Sequence, residues 1–295
     1  MSFADRVRAE LSEIVIKHPC CRRALLEGLL LGASFDAEAK CVRVRYGQEA
    51  CASLALDLLS KQFGKQPELQ KTGKCGHFYW ELSMSSPACA KLIRSMDAED
   101  AEAESIFHFG CDSCRSAFLR GSFLALGTVN DPHKSFHMEW KLAPARARLL
   151  SAVLSDQGYP PRMITRTEYV GVYYKDSAAI EDLITLMGSS TVLFEVINSR
   201  IERDIRNNEN RATNCVAKNI YKSVSASQKQ IDAIEKLVES HRMDALPDEL
   251  KETAMIRLNN PEATLMELAL LHTPPISKSG LNHRLQKLCQ EAELI

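Results

Sequence analysis

The chain has 295 residues, 45% of them hydrophobic and 25% charged, with a formal net charge of −1. That is enough apolar mass to bury a core in two or three domains, which excludes a disordered chain. The near-neutral balance also excludes binding to polyanions through overall basicity, so any nucleic-acid contact must rest on local patches.

The N-terminal stretch MSFADRVRAELSEIVIKHPCC mixes charges at helical spacing and lacks an apolar segment after a basic one. No run approaches the ~18 unbroken apolar residues of a membrane helix. The expectation is a cytoplasmic protein with no membrane contact. The next phrase, ALLEGLLLGAS at 24–34, is apolar on most faces yet holds Gly28, and it returns as AFLRGSFLALG at 117–127 around Gly121. The two copies align with an offset of 93 residues, Gly28 over Gly121 and Leu31 over Leu124. A mid-helix glycine costs roughly 1 kcal/mol in propensity and is tolerated where a second backbone approaches closely. Gly28 and Gly121 are therefore expected to pack the two helices together about a pseudo-two-fold axis.

After the first copy come a strand pattern at 41–46 (CVRVRY), a helix over 48–63 and a strand at 77–84 (HFYWELSM). After the second come SFHMEWKL at 135–142, a helix over 145–158, strand patterns RMITRT and YVGVYYK, and a helix from Asp176 to Met187. The succession reads as an internal duplication of a mixed helix–strand unit. The chain holds ten cysteines. Cys111 and Cys114 have CxxC spacing, with His108 just upstream, but a second CxxC is absent and Cys20–Cys21 could join them only through a long-range coincidence. Reduced thiols packed near a helix start are expected, with no metal and no cofactor.

From Asn198 strand patterns cease. The segment 198–222 carries Arg200, Arg203, Arg206, Arg211, Lys218 and Lys222 against Glu202, Asp204 and Glu209, and is rich in asparagine, a weak helix former. It reads either as a solvated linker helix or as an arm that contacts phosphates through Arg200, Arg203, Arg206 and Arg211. The closing segment is the sharpest local signal. Thr264 and Glu267 form a capping box before a short helix at 265–271, a TPP break follows, and Ser277 caps a helix to about Glu291. Leucine stripes at helical spacing, Leu265 and Leu268 against Leu281, Leu285 and Leu288, make this a helix-turn-helix. Its second helix carries Ser277, Lys278, Ser279, Asn282, His283, Arg284 and Lys287 off the stripe with no acid before Glu291, the chemistry of a DNA recognition helix.

The stretches AFLRGSFLALGTVNDPHKSFHMEW and ISKSGLNHRLQKL, in this order around the Asn/Arg-rich helix, resemble the WhiA family of bacterial transcription regulators linked to sporulation and cell division. The resemblance spans nearly the whole chain. It implies an α+β fold: a duplicated LAGLIDADG homing-endonuclease-like domain followed by an all-α helix-turn-helix domain similar to the promoter-reading domain of sigma factors. The corresponding segments are 1–95 and 96–192 for the repeats, 193–225 for the Arg/Asn-rich linker helix and 226–295 for the helix-turn-helix. The endonucleases end each paired helix in an aspartate that holds a divalent metal. Here those positions are Ala33 and Leu126, which cannot ligate Mg²⁺; Asp36 and Asp131 lie beyond the helix ends and do not match the motif. The implied protein is no enzyme but a nucleoid-associated regulator that binds double-stranded promoter DNA, with a second transcription factor or RNA polymerase as further candidate partner. Two other readings stand beside it, a nucleoid-tethered protein-docking scaffold and a metal-dependent endonuclease. The strands' basic residues, Arg43 and Arg45 in the first repeat, Lys141, Arg162 and Arg166 in the second, are the candidates for a DNA-facing sheet.

Overall fold

The structure, a computed structural model, describes residues 1–74 and 77–294. Cys75, Gly76 and Ile295, the last residue of the expected 226–295 segment, lie outside the described residues. The chain divides into two compact units, Met1–Arg203 and Asp204–Ile295.

The first unit opens with α1 (Phe3–Glu13), started by a reciprocal capping box between Ser2 and Asp5. Two copies of one succession follow. The first is α2 (Pro19–Leu29), β1 (Ser34–Asp36), β2 (Cys41–Tyr46), α3 (Glu49–Phe63), β3 (Glu68–Lys74), β4 (His77–Met84) and α4 (Pro87–Met96). A short helix α5 (Ala103–Ile106) leads to the second: α6 (Ser113–Leu126), β5 (Gly127–Val129), β6 (Met138–Leu142), α7 (Pro144–Asp156), β7 (Arg162–Thr165), β8 (Val170–Tyr174) and α8 (Ser177–Met187). Each copy forms an antiparallel four-stranded sheet, β1-β2-β4-β3 and β5-β6-β8-β7. The equivalent strand order is the structural form of the 93-residue repeat.

Strand alternation decides which face of each sheet is covered. Val42, Val44, Tyr46, Leu82 and Met84 point inward from the first sheet; Met138, Trp140, Leu142, Val170, Val172 and Tyr174 do so from the second. Both meet α2 and α6 in one continuous core, where Phe123 stands edge-on to Trp140 with ring centroids 5.9 Å apart. Strands β1, β3, β5 and β7 are sheet edges. Three of them escape pattern reading because they are only three residues long, or, like β3 (ELQKTGK), polar on both faces.

Helices α2 and α6 lie backbone to backbone. A Cβ built on Gly28 would fall 2.1 Å from the Phe118 carbonyl oxygen, and one on Gly121 would fall 2.1 Å from the Leu25 carbonyl oxygen. The helices run in the same direction, since their starts meet at Cys21 and Cys114, Sγ atoms 3.9 Å apart, and their ends meet at Gly32 and Leu126. This pairing overturns one expectation. Cys20 and Cys21 do reach Cys111 and Cys114, because helix pairing closes a separation of some ninety residues that sequence spacing leaves open. His108 is not among them; it sits against Glu27, 3.4 Å away, and Arg23.

Helix α9 (Thr191–Glu239) begins in the first unit and ends in the second. Its first turn is capped by the Glu10 carboxylate, which accepts the N–H groups of Ser190, Thr191 and Val192 at 2.6, 2.8 and 3.2 Å and the Ser189 hydroxyl at 2.7 Å. The second unit adds α10 (Asp248–Asn259), α11 (Leu265–Leu270) and α12 (Lys278–Glu293). Its separate core joins Ile234 and Leu237 of α9 to Leu250, Ala254, Leu268, Leu281, Leu285 and Leu288.

Candidate nucleic-acid interface

The second unit presents α12 by fixing its start and its inner face. Ser277 accepts the Gly280 N–H at 3.0 Å, which sets the first turn, and Leu281, Leu285 and Leu288 are each 1% exposed. That buried stripe turns Lys278, Ser279, His283 and Lys287 into solvent and leaves Asn282 and Arg284 half-buried at its edge. Arg284 already has a partner, the Glu249 carboxylate at 3.0 Å. The preceding helix α11 is set by the expected reciprocal box: the Thr264 N–H donates to Glu267 at 2.8 Å and the Glu267 N–H to the Thr264 hydroxyl at 3.3 Å. These bonds hold the Glu267 carboxyl below its ordinary pKa.

Between the two helices the turn is pinned by His272, which sequence reading passed over. Buried at 2% exposure, its Nδ1 lies 2.9 Å from the Leu268 carbonyl and its Nε2 3.0 Å from the Thr253 hydroxyl of α10. Arg257 of α10, also buried, donates to the Ala263 carbonyl at 2.7 Å, and burial lowers its pKa. His272 follows Leu268 by one helical turn, the one local signal that it faces inward.

The Arg/Asn-rich stretch divides. Arg200 is ion-paired to Glu181 at 2.6 Å, and Arg203 lies over the Phe136 ring, 4.6 Å from its centroid, with a guanidinium nitrogen near the Pro132 and Lys134 carbonyls. Both are committed within the first unit, which departs from a four-arginine arm. Arg206 and Arg211 are exposed.

At the C-terminal ends of α2 and α6, Ala33 and Leu126 supply no oxygen side chain, and arginines occupy the backbone oxygens instead. The Arg146 guanidinium, 8% exposed, donates to the Leu31 carbonyl at 2.8 Å and to the Ala33 carbonyl, and makes a bidentate pair with Asp97 at 2.7 and 2.8 Å. Arg8 donates to the Gly127 carbonyl at 2.7 Å. Cations thus cap the negative ends of both helix dipoles. Arg146 shares i, i+3, i+4 and i+7 spacing with Leu149, Leu150 and Val153, a charge on an apolar stripe that could have flagged it. Asp36 is held by Arg43 at 3.0 Å. Asp131 clusters with His133 and with Glu195, whose carboxylate takes Arg6 at 2.7 Å.

The strand cations are ion-paired in the first sheet, whereas in the second they are exposed or stacked on an aromatic ring. Arg43 pairs with Asp36, and Arg45 with Glu81 at 2.6 Å while lying over Tyr79. Lys141 stands over Tyr169, and Arg162 and Arg166 are exposed.

A duplicated LAGLIDADG-like domain joined to a C-terminal helix-turn-helix is the class that this fold defines. Residues 115–206 match the WhiA LAGLIDADG-like domain and residues 210–292 the WhiA C-terminal HTH domain. A probable cell division protein WhiA of Carboxydothermus hydrogenoformans is 34% identical over 100% of this chain and 98% of its own. One from Lachnoclostridium phytofermentans is 32% identical over 99% of both. The crystal structure of full-length DUF199/WhiA from Thermotoga maritima superposes with a TM-score of 0.60 at 22% identity, covering 100% of this chain and 99% of that one. The chain belongs to the WhiA family of cell division proteins.

Proposed function

We propose that the protein is a transcription regulator that binds double-stranded promoter DNA through α12 and does not cut it. The observation that carries this reading is the polar face of α12, where Lys278, Ser279, Asn282, His283 and Lys287 surround a buried leucine stripe and no acid occurs before Glu291. Lys278 and Lys287 hold phosphates, Arg284 joins them by exchanging the Glu249 carboxylate for a phosphate, Ser277 and Ser279 meet the backbone or base edges at the helix start, and Asn282 reads an adenine edge. Arg206 and Arg211 add phosphate contacts, while Arg200 and Arg203 anchor the start of α9. In this reading 1–95 and 96–192 act as the paired repeats, 193–225 as the connecting helix and 226–295 as the DNA-binding part. Loss of cleavage is supported by Ala33 and Leu126 and by the arginine-capped helix ends.

The ion-paired cations of the first sheet favour a second role for that face of the first unit, docking a protein such as another transcription factor or RNA polymerase rather than gripping DNA. Chromatin occupancy mapping supplies the cognate duplex. Salt titrations on cognate and scrambled duplexes then compare variants. Lys287→Ala, at an exposed position of α12, is expected to weaken both complexes and lower the salt slope by roughly one. Asn282→Ala is expected to remove about 1–3 kcal/mol of discrimination while sparing non-specific binding. Wild-type behaviour of both variants on both duplexes, or chelator-sensitive cutting with Mg²⁺, would refute the reading.

A further inference from the structure

The four thiols of Cys20, Cys21, Cys111 and Cys114 form a group that the helix-turn-helix function does not use. Cys20 and Cys21 occupy the first turn of α2; Cys111 precedes α6 and Cys114 lies in its first turn. The Sγ separations are 3.7 Å for Cys20–Cys111, 3.4 Å for Cys21–Cys111, 3.9 Å for Cys21–Cys114 and 3.6 Å for Cys111–Cys114, and all four atoms lie within 4.8 Å of one another. A zinc ion bound to four thiolates at about 2.3 Å in a tetrahedron separates its sulfurs by about 3.8 Å. A disulfide needs about 2.05 Å, so none of these contacts is one. An iron–sulfur cluster interposes its own sulfides and several irons, and holds its cysteine ligands farther apart than these contacts.

We infer that these four cysteines form a zinc site that clasps the two repeats together at the N-terminal ends of the paired helices. Tetrahedral all-sulfur ligation is the soft donor set zinc prefers. The ion would carry a net charge of two minus with its thiolates. The positive ends of the α2 and α6 dipoles converge on that charge, and Arg120 lines the same cleft as Cys21. Cys21 and Cys114 are related by the 93-residue offset that relates Gly28 to Gly121, so two of the ligands obey the pseudo-two-fold. Cys20 and Cys111 complete the set without being equivalent positions. The site lies at the opposite end of the helix pair from Ala33 and Leu126. It is a closed structural site, since all four positions are protein ligands and none remains for substrate.

The test uses the full chain purified under reducing conditions with zinc in the growth medium. Elemental analysis after dialysis is expected to give close to one zinc per chain. Exchange for Co²⁺ is expected to give a thiolate-to-cobalt charge-transfer band and the strong visible bands of a tetrahedral sulfur site. Cys111→Ser, at an exposed position, is expected to lose most of the metal while keeping its circular dichroism; Cys215→Ser and Cys289→Ser are expected to keep it. Alkylation mapped by mass spectrometry should label Cys215 freely and spare the four ligands until a chelator is added. Three outcomes each overturn the proposal. One is zinc no higher in wild type than in Cys111→Ser. Another is an octahedral or sulfur-free cobalt spectrum. The third is a disulfide between either cysteine of α2 and Cys111 or Cys114 in the reduced preparation. The cobalt spectrum needs only wild-type protein, so a variant that fails to fold leaves the proposal open to refutation.

Discussion

Replacing Gly121 with alanine adds one methyl group, and the structure sets what it must do. The new Cβ would sit 2.1 Å from the Leu25 carbonyl oxygen, 2.9 Å from the Leu29 nitrogen and 3.1 Å from the Leu25 carbonyl carbon. All three are backbone atoms of α2, so no side chain can swing away; the helices must separate by about 1 Å to reach ordinary van der Waals contact. Separation loosens an interface that buries Leu25, Leu29, Phe118 and Leu119 at 2% exposure or less. Overpacking of this kind costs about 1–3 kcal/mol or more, and a clash with backbone belongs at the upper end. The helix propensity gained on replacing glycine returns about 1 kcal/mol, so the net loss is about 2 kcal/mol or more. For a unit of this size that is a fall in melting temperature of about 4–8 °C. The assay is calorimetric unfolding of Gly121→Ala beside Gly47→Ala, where an added Cβ meets nothing within 4 Å. Gly28→Ala should behave as Gly121→Ala does, since its Cβ meets the Phe118 oxygen at 2.1 Å. If Gly121→Ala melts with the Gly47→Ala control, close backbone packing is not what this glycine provides.

Arg146→Met is expected to destabilise the first unit by about 2–4 kcal/mol, because the Leu31 and Ala33 carbonyls lose a buried donor and Asp97 its partner. Arg146→Lys should recover little, since an ammonium cannot span both carbonyls and the carboxylate; urea unfolding measures both, and a neutral Met variant would contradict the assignment. Burial pushes the Glu10 carboxyl up, but the Thr191, Ser189, Ser190 and Val192 hydrogen bonds outweigh it and hold it below its ordinary value. The stability it contributes is therefore complete above the ordinary carboxylate pKa and is lost as pH falls through the lowered one. Glu10→Gln should cost about 1–2 kcal/mol at neutral pH and flatten the acid limb of stability against pH; an unchanged acid limb would refute it.

Sequence alone determined the features that depend on neighbours within a few turns or on a repeated phrase. The capping box at Thr264 and Glu267, the Ser277 cap and the leucine stripe of α12 are local requirements of the helices that carry them, and the 93-residue offset shows as one phrase written twice. The same holds for Ala33 and Leu126, whose lack of oxygen is visible without coordinates. Tertiary structure decided what depends on pairs far apart in the chain. Cys20 and Cys21 meet Cys111 and Cys114 because glycines let α2 and α6 approach, and no spacing within either segment encodes that meeting. Arg200 and Arg203 look like free cations in sequence, yet Glu181 and Phe136 claim them. Glu10 caps a helix 181 residues away and Arg146 one 113 residues away. Hydrogen-bond and charge partners are chosen by proximity in space, and only packing of the apolar faces determines which distant polar groups become neighbours.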